Sequence, residues 1–171
     1  MNSQILTTER LVLRPYSLSD VESLVRLAGA REVAATTLRI PHPYTEQDAR
    51  NFIATYQASA GDEARFAITL RTDGQFCGGT GLRLDAAHHH AELGYWLGVP
   101  FWGQGYATEA SRALVDWAFT QDTEELFAVA RPNNTRAIAT AKRIGMQWVG
   151  ETTKYYDLRL QVYRVRHSDL L

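Results

Sequence analysis

Cysteine is nearly absent from this chain, with Cys77 the only one among 171 residues. An intramolecular disulfide is therefore impossible and a cysteine-rich metal site is excluded. That composition suits a reducing cytosol, so the expectation is a cytoplasmic protein without a metal. Charge of one sign is missing too. Eighteen Lys and Arg against nineteen Asp and Glu leave a formal net charge of −1. No basic excess draws the chain to a polyanion, and nucleic acid is not an expected partner. Long hydrophobic runs are absent: none reaches the ~18–20 apolar residues that a bilayer requires. The segment from Met1 to Pro15 also lacks the basic-then-apolar pattern of a signal peptide. No membrane partner is expected. Linkers, internal repeats and low-complexity tracts are lacking as well. What is there is an ordinary globular balance, 45 % hydrophobic and 22 % charged. It is enough apolar material for one domain spanning residues 1–171.

Arg10 to Pro15 alternates apolar and polar, which predicts a first strand with Leu11 and Leu13 on one face. Ser19 or Asp20 is placed to cap a helix carrying Val21, Leu24, Val25 and Ala28 at helical spacing. Thr45 caps a second helix with Ala49, Phe52, Ile53 and Tyr56 as its inner face. Between them, Ala34 to Tyr44 holds Pro41 and Pro43 and reads as a loop of the kind that shapes a pocket. Phe66–Arg71, Phe76–Leu84 and Ala91–Leu97 follow as strands, the first two joined by a Thr72-Asp73-Gly74-Gln75 hairpin turn. His88 to His90 fall in a polar turn. The second half alternates helix and strand. A helix is predicted from Tyr106 to Thr120, with Ala110, Ala113, Leu114, Trp117 and Ala118 as its buried stripe. A strand from Leu126 to Ala130 and a helix from Asn134 to Arg143 closed by Gly145 come next, and strands near Gln147–Thr152 and Gln161–Arg166 finish the chain. The class is one α/β domain whose first half is an antiparallel meander.

The segment Trp102-Gly103-Gln104-Gly105-Tyr106-Ala107 joins a strand to a helix. Such a turn presents unpaired N–H groups at the positive end of the helix, and glycine lets the backbone approach a bulky anion. Phosphate is the natural ligand, and a tight turn with no ligand is the alternative. The phosphate loop G-x-x-x-x-G-K-[S/T] is absent. A dinucleotide fingerprint fails at Thr108, and Glu124 and Glu125 precede the following strand where the ribose-binding acid should end it.

In total the chain resembles the GNAT superfamily of acetyltransferases, and specifically its ribosomal-protein N-acetyltransferase (RimJ/RimL-like) branch. The resemblance runs nearly end to end. It is carried by Leu6 to Pro15, Pro43-Tyr44-Thr45-Glu46, Glu92-Leu93-Gly94-Tyr95-Trp96-Leu97, Phe101 to Ala110, and Pro132-Asn133-Asn134 followed by Gly145-Met146. The superfamily's Q/R-x-x-G-x-G/A loop maps onto Trp102 to Ala107, with Trp102 at the leading position. The resemblance implies a central, mostly antiparallel mixed sheet flanked by helices, with a splayed strand pair holding acetyl-CoA as co-substrate. It implies that Trp102, Gly103, Gln104, Gly105, Tyr106, Ala107 and Thr108 cradle the pyrophosphate. The strand through Trp96 and Leu97 would pair with the pantetheine arm, and Asn134 would reach the cofactor from the start of the next helix.

Amine acetylation also needs a base and a polarised carbonyl. The family solution to the second is a backbone N–H on a bulged strand, and Gly94 would permit that bulge. Glu92 is the candidate general base. An ordinary Glu, with a pKa of about 4.3, lies under four units from an α-amine near ~8 and about six from a lysine near ~10.4. The comparison favours a protein or peptide N-terminal α-amine as acceptor. A small amine (antibiotic, polyamine or amino acid) is the alternative acceptor, and a non-catalytic acetyl-CoA-binding module the alternative outside enzymes. The last is motivated by what is missing: Ala137 stands where the branch has Ser, and Ala141 where other members have Tyr. Tyr155 or Tyr156 could supply the leaving-group acid, though spacing selects neither. Glu109 reads as a complement to its helix dipole, the His88–His90 run as an exposed turn, Cys77 as a small buried side chain, and Arg136 and Lys142 as solvated helix positions, with the cofactor's ribose phosphate as their alternative partner. Neither the acceptor's identity nor the oligomeric state follows from spacing.

Overall fold

The structure, a computed structural model, describes residues 4–58, 61–85, 89–154 and 157–171. Its first strands are β1 (Leu6–Thr7) and β2 (Leu11–Arg14), and Leu11 and Leu13 are both fully buried as the alternation requires. A 3-10 turn at Leu18–Asp20 then leads into α1 (Val21–Ala28). Asp20 does not cap that helix. Its carboxylate accepts a two-pronged bond from the Arg14 guanidinium, at 2.9 and 2.7 Å, and a third from the Ser17 N–H at 2.8 Å. A buried carboxylate needs that fixed cation more than the helix needs a cap.

The proline-containing loop is shorter than its composition indicates, because α2 (Arg31–Thr36) occupies its first part. Val33 buries fully and holds this turn against the core. Thr45 does cap the next helix, α3 (Glu46–Ala58): its hydroxyl accepts from the Asp48 N–H at 3.1 Å while Asp48 accepts from the Thr45 N–H at 2.8 Å. The meander follows as β3 (Glu63–Leu70), β4 (Phe76–Asp85) and β5 (His90–Leu97), with Gly74 at φ +75° in the hairpin turn. β3 begins three residues earlier than the alternation suggests, extending the sheet under α3. The second half contributes α4 (Tyr106–Ala118), β6 (Glu125–Ala130), α5 (Thr135–Arg143), β7 (Gln147–Thr152) and β8 (Leu160–Arg166). Asn134 caps α5 by accepting from the Ala137 N–H at 3.2 Å, and Gly145, at φ +89°, ends it.

All eight strands join one sheet in the order β1-β2-β3-β4-β5-β6-β8-β7. Every neighbouring pair is antiparallel except β5 and β6. The core fills both faces. On one, Tyr16 packs edge-on to Phe52 of α3 and tilts against Phe76 of β4. On the other, Phe66 of β3 meets Trp117 of α4 edge-on at 5.5 Å. The mixed sheet flanked by helices is thus present as expected.

Candidate active site

The exceptional pair, β5 and β6, makes the site. Their parallel register runs only through His90↔Glu125, Ala91↔Leu126 and Glu92↔Phe127, after which the strands separate. β5 stays paired with β4 over its whole length, from Gly78↔Leu97 to Asp85↔His90. Gly94 therefore forms no bulge. A regular strand cannot bulge from a neighbour whose register it keeps, and the opening lies on its other edge. The Gly98 N–H donates to the Cys77 carbonyl at 2.8 Å. By the alternation of an antiparallel ladder, Glu92, Gly94 and Trp96 then bond to β4, and Leu93, Tyr95 and Leu97 turn their backbone groups into the opening.

The glycine turn closes one end of this cleft. Gly103 and Gly105 adopt φ +73° and +82°, the left-handed region that other residues avoid. Trp102 donates its own N–H to the Val99 carbonyl, and Glu109 donates to Gly105. Between them, among the described residues, the N–H groups of Gly103 through Thr108 have no acceptor within the protein. These six consecutive amides lie at the start of a 13-residue helix. Their geometry is fixed from outside. The Trp102 indole donates to the Leu97 carbonyl at 2.8 Å, tying the turn to β5. Gln104 folds back onto the Pro100 carbonyl at 2.9 Å, so its side chain braces the turn. Its own carbonyl accepts from Arg10 at 2.9 Å. Tyr106, Ala107 and Thr108 line the cavity, as do Gly103 and Gly105.

Alternation along β5 sends Glu92 and Tyr95 to opposite faces. Glu92 points toward the loop after α2, where Arg39 faces it, and its Oε2 lies 3.9 Å from Arg83 Nη1. Burial pushes its carboxyl above the ordinary range, with Arg39 and Lys154 opposing. Tyr95 points to α5, with its hydroxyl toward Thr140; burial raises it too, with Thr140 and Arg136 opposing. Trp96 shares the Glu92 face and is packed, not free: its indole nitrogen and the Tyr16 hydroxyl fill the space over Gly79, where a Cβ would come within 2.8 and 1.9 Å of them. Leu97 is buried, and its carbonyl is already taken by Trp102. Asn134 sits at the cavity edge with its side chain committed at both ends, to the α5 cap and, at 3.3 Å, to the Thr36 carbonyl. A continuous cavity of about 910 Å³ links these parts, running from the glycine turn past Glu92 to Tyr44, Asn51, Phe52 and Thr55.

The structure brings Glu92, Trp96, Leu97, the glycine turn and Asn134 to this one cavity. Tyr155, Tyr156 and His88, named on sequence grounds, lie outside the described residues. Glu109 does more than complement a dipole: it accepts from the Thr8 hydroxyl, the Arg10 N–H and the Arg10 guanidinium at 2.6, 2.8 and 2.7 Å. Sequence reasoning missed Tyr95 and undervalued Arg136. The only available signal for Tyr95 was its place in the Glu92–Leu97 motif on the opening strand, and nothing local shows that Arg136 meets Trp102. Among the described residues no group of His, Cys, Asp and Glu could hold a metal, and no helix is long and apolar enough to cross a membrane.

Residues 10–147 match the family model of the acetyltransferase (GNAT) domain. The chain belongs to the GNAT acetyltransferase family. It is 31 % identical over 173 residues to the uncharacterized N-acetyltransferase p20 of Bacillus licheniformis, covering 98 % of this chain and 96 % of that one. Its GNAT fold resembles that of RimL, the ribosomal L7/L12 α-N-protein acetyltransferase solved with coenzyme A (TM-score 0.82, 18 % identity, 95 % and 98 % coverage). It also resembles the microcin C7 self-immunity acetyltransferase MccE, solved with acetyl-CoA and AMP (TM-score 0.81, 19 % identity, 93 % of each chain).

Proposed function

We propose that this GNAT acetyltransferase moves an acetyl group from acetyl-CoA to a primary amine, with a protein or peptide N-terminal α-amine as acceptor. One observation carries the donor: six consecutive acceptor-free amides, Gly103 through Thr108, follow the strand that opens from β6. Pyrophosphate oxygens satisfy those amides, and the helix dipole adds to their attraction. The free backbone groups of Leu93 and Tyr95 then accept the pantetheine arm as a further strand would be accepted.

Glu92 takes the amine proton. Its carboxyl, raised by burial, comes closer to an α-amine of about 8 than an exposed Glu would, and this supports the N-terminal acceptor over lysine. The amine lone pair forms the new C–N bond at the thioester carbonyl. An N–H of β5 facing the opening stabilises the oxyanion, an interaction worth roughly 3 kcal/mol. As the C–S bond breaks, the electron pair goes to sulfur. Ala137 and Ala141 offer no proton, but Thr140 lies between them on the same turns of α5 and faces the Tyr95 hydroxyl. Tyr95 is the acid we assign to the thiolate, on the face of β5 opposite Glu92. Thioester consumption measured against N-terminal peptides and a panel of small amines tests the reading. Peptides outpacing small amines support it; exclusive use of small amines moves the acceptor to that class, and no turnover with any amine overturns it.

A further inference from the structure

Arg136 stands in a position that electrostatics disfavours. It is the second residue of α5, at the positive end of that helix, and no acidic residue occupies the first turn. Among the described residues no carboxylate pairs with it. Its guanidinium carbon instead lies 3.7 Å from the centre of the Trp102 ring. Stacking uses the face of a guanidinium and leaves its N–H edge unspent.

Trp102 is also the residue at which the glycine turn departs from the Q/R-x-x-G-x-G/A pattern. The stacked Arg136 returns a cation to that spot from a different helix. The turn that follows Trp102 carries six amides without an acceptor in the protein, all donors and all requiring the same kind of partner. Arg131, at the end of β6, lines the same cavity with a buried Nε that has no hydrogen-bond partner. A helix start, a free amide cradle and two guanidiniums without carboxylates share one missing component, an anion.

We infer that Arg136, held flat on Trp102, is a phosphate-binding residue of the cofactor site and supplies the cation that the glycine turn lacks. The inference rests on acetyl-CoA being the donor. A planar guanidinium can bond a phosphate through two parallel N–H groups while its face remains on the indole. Lysine, a compact point charge, could supply the charge without the stack.

Calorimetry on the intact protein tests this with coenzyme A, 3′-dephospho-coenzyme A and pantetheine. Arg136→Ala is expected to weaken coenzyme A binding about 10–100-fold, with Arg136→Lys intermediate and thermal melting unchanged. A loss that persists for 3′-dephospho-coenzyme A assigns the contact to the pyrophosphate; a loss confined to coenzyme A assigns it to the 3′-phosphate. Both outcomes support the inference. Equal binding by wild type and Arg136→Ala overturns it, as does an equal loss for pantetheine, which carries no phosphate. Absence of coenzyme A binding to the wild type overturns the donor assignment itself and this inference with it.

Discussion

The Glu109 carboxylate and the Arg10 guanidinium, 99 residues apart in the chain, meet at 2.7 Å. The contact clamps the β1–β2 turn onto the first turn of α4. From the same place Arg10 reaches the Gln104 carbonyl and lies over the Tyr106 ring at 4.6 Å. The glycine turn is thus held rigid by an ion pair that need not touch any ligand.

Removing the clamp should loosen the turn. Glu109→Gln is expected to cost about 1–2 kcal/mol, since a half-buried carboxylate with three donors exceeds an ordinary surface pair. Burial opposes ionisation of Glu109, yet the bonds from Thr8 and Arg10 outweigh it and hold the carboxyl below its ordinary value. A lowered folded-state pKa stabilises above the unfolded pKa of about 4.3, and that stability is lost as pH falls through the folded value. Melting followed from pH 7 to pH 3 should show a steeper acid loss in the wild type than in Glu109→Gln.

Glu92 carries the opposite sign. Its folded pKa is raised, so the charged form destabilises the fold, and the penalty grows as pH rises through the raised value. Glu92→Gln should melt at or above the wild-type temperature at pH 7, and the difference should vanish below about pH 4. Its kcat/KM should fall ~10²-fold, with the acidic limb of the pH–rate profile removed. A normal profile in this variant would end the base assignment.

For the leaving-group acid, Tyr95→Phe is expected to lower kcat about 10–100-fold with little change in acetyl-CoA affinity. Thr140→Val should produce a smaller drop in the same direction, because it loosens the hydroxyl without deleting it. If the acid is Tyr95, the loss should shrink with a thioester whose leaving thiol is more acidic. An equal loss for both thioesters would point to packing alone.

Two glycines of the site should separate by substitution. At Gly105, φ is +82° and a Cβ would stand 3.2 Å from the Arg10 guanidinium. Gly105→Ala should cost about 1–2 kcal/mol and weaken acetyl-CoA binding. A Cβ on Gly94 meets nothing within 4 Å, so Gly94→Ala should leave the melting temperature unchanged. Differential scanning fluorimetry and calorimetry on the two variants report both effects.

Local chemistry made much of this protein legible in advance. Alternation marks β2 through Leu11 and Leu13, the Thr45–Asp48 capping box starts α3, and two glycines at positive φ shape the turn before α4. Each is a preference of a few neighbouring residues, and the sequence by itself determined them. The family resemblance placed Glu92 and the glycine turn in one site, and both line the same cavity. Only the tertiary structure decided which edge of β5 opens. Register is a relation between strands, and the parting of β5 from β6 after Glu92↔Phe127 leaves no trace in spacing. The same holds for Tyr95, which gains a role only when α5 packs over its face of β5, and for Arg136, whose partner Trp102 sits 34 positions earlier on another element. Contacts between distant residues are chosen by packing, where the stabilising groups meet only after the sheet has formed.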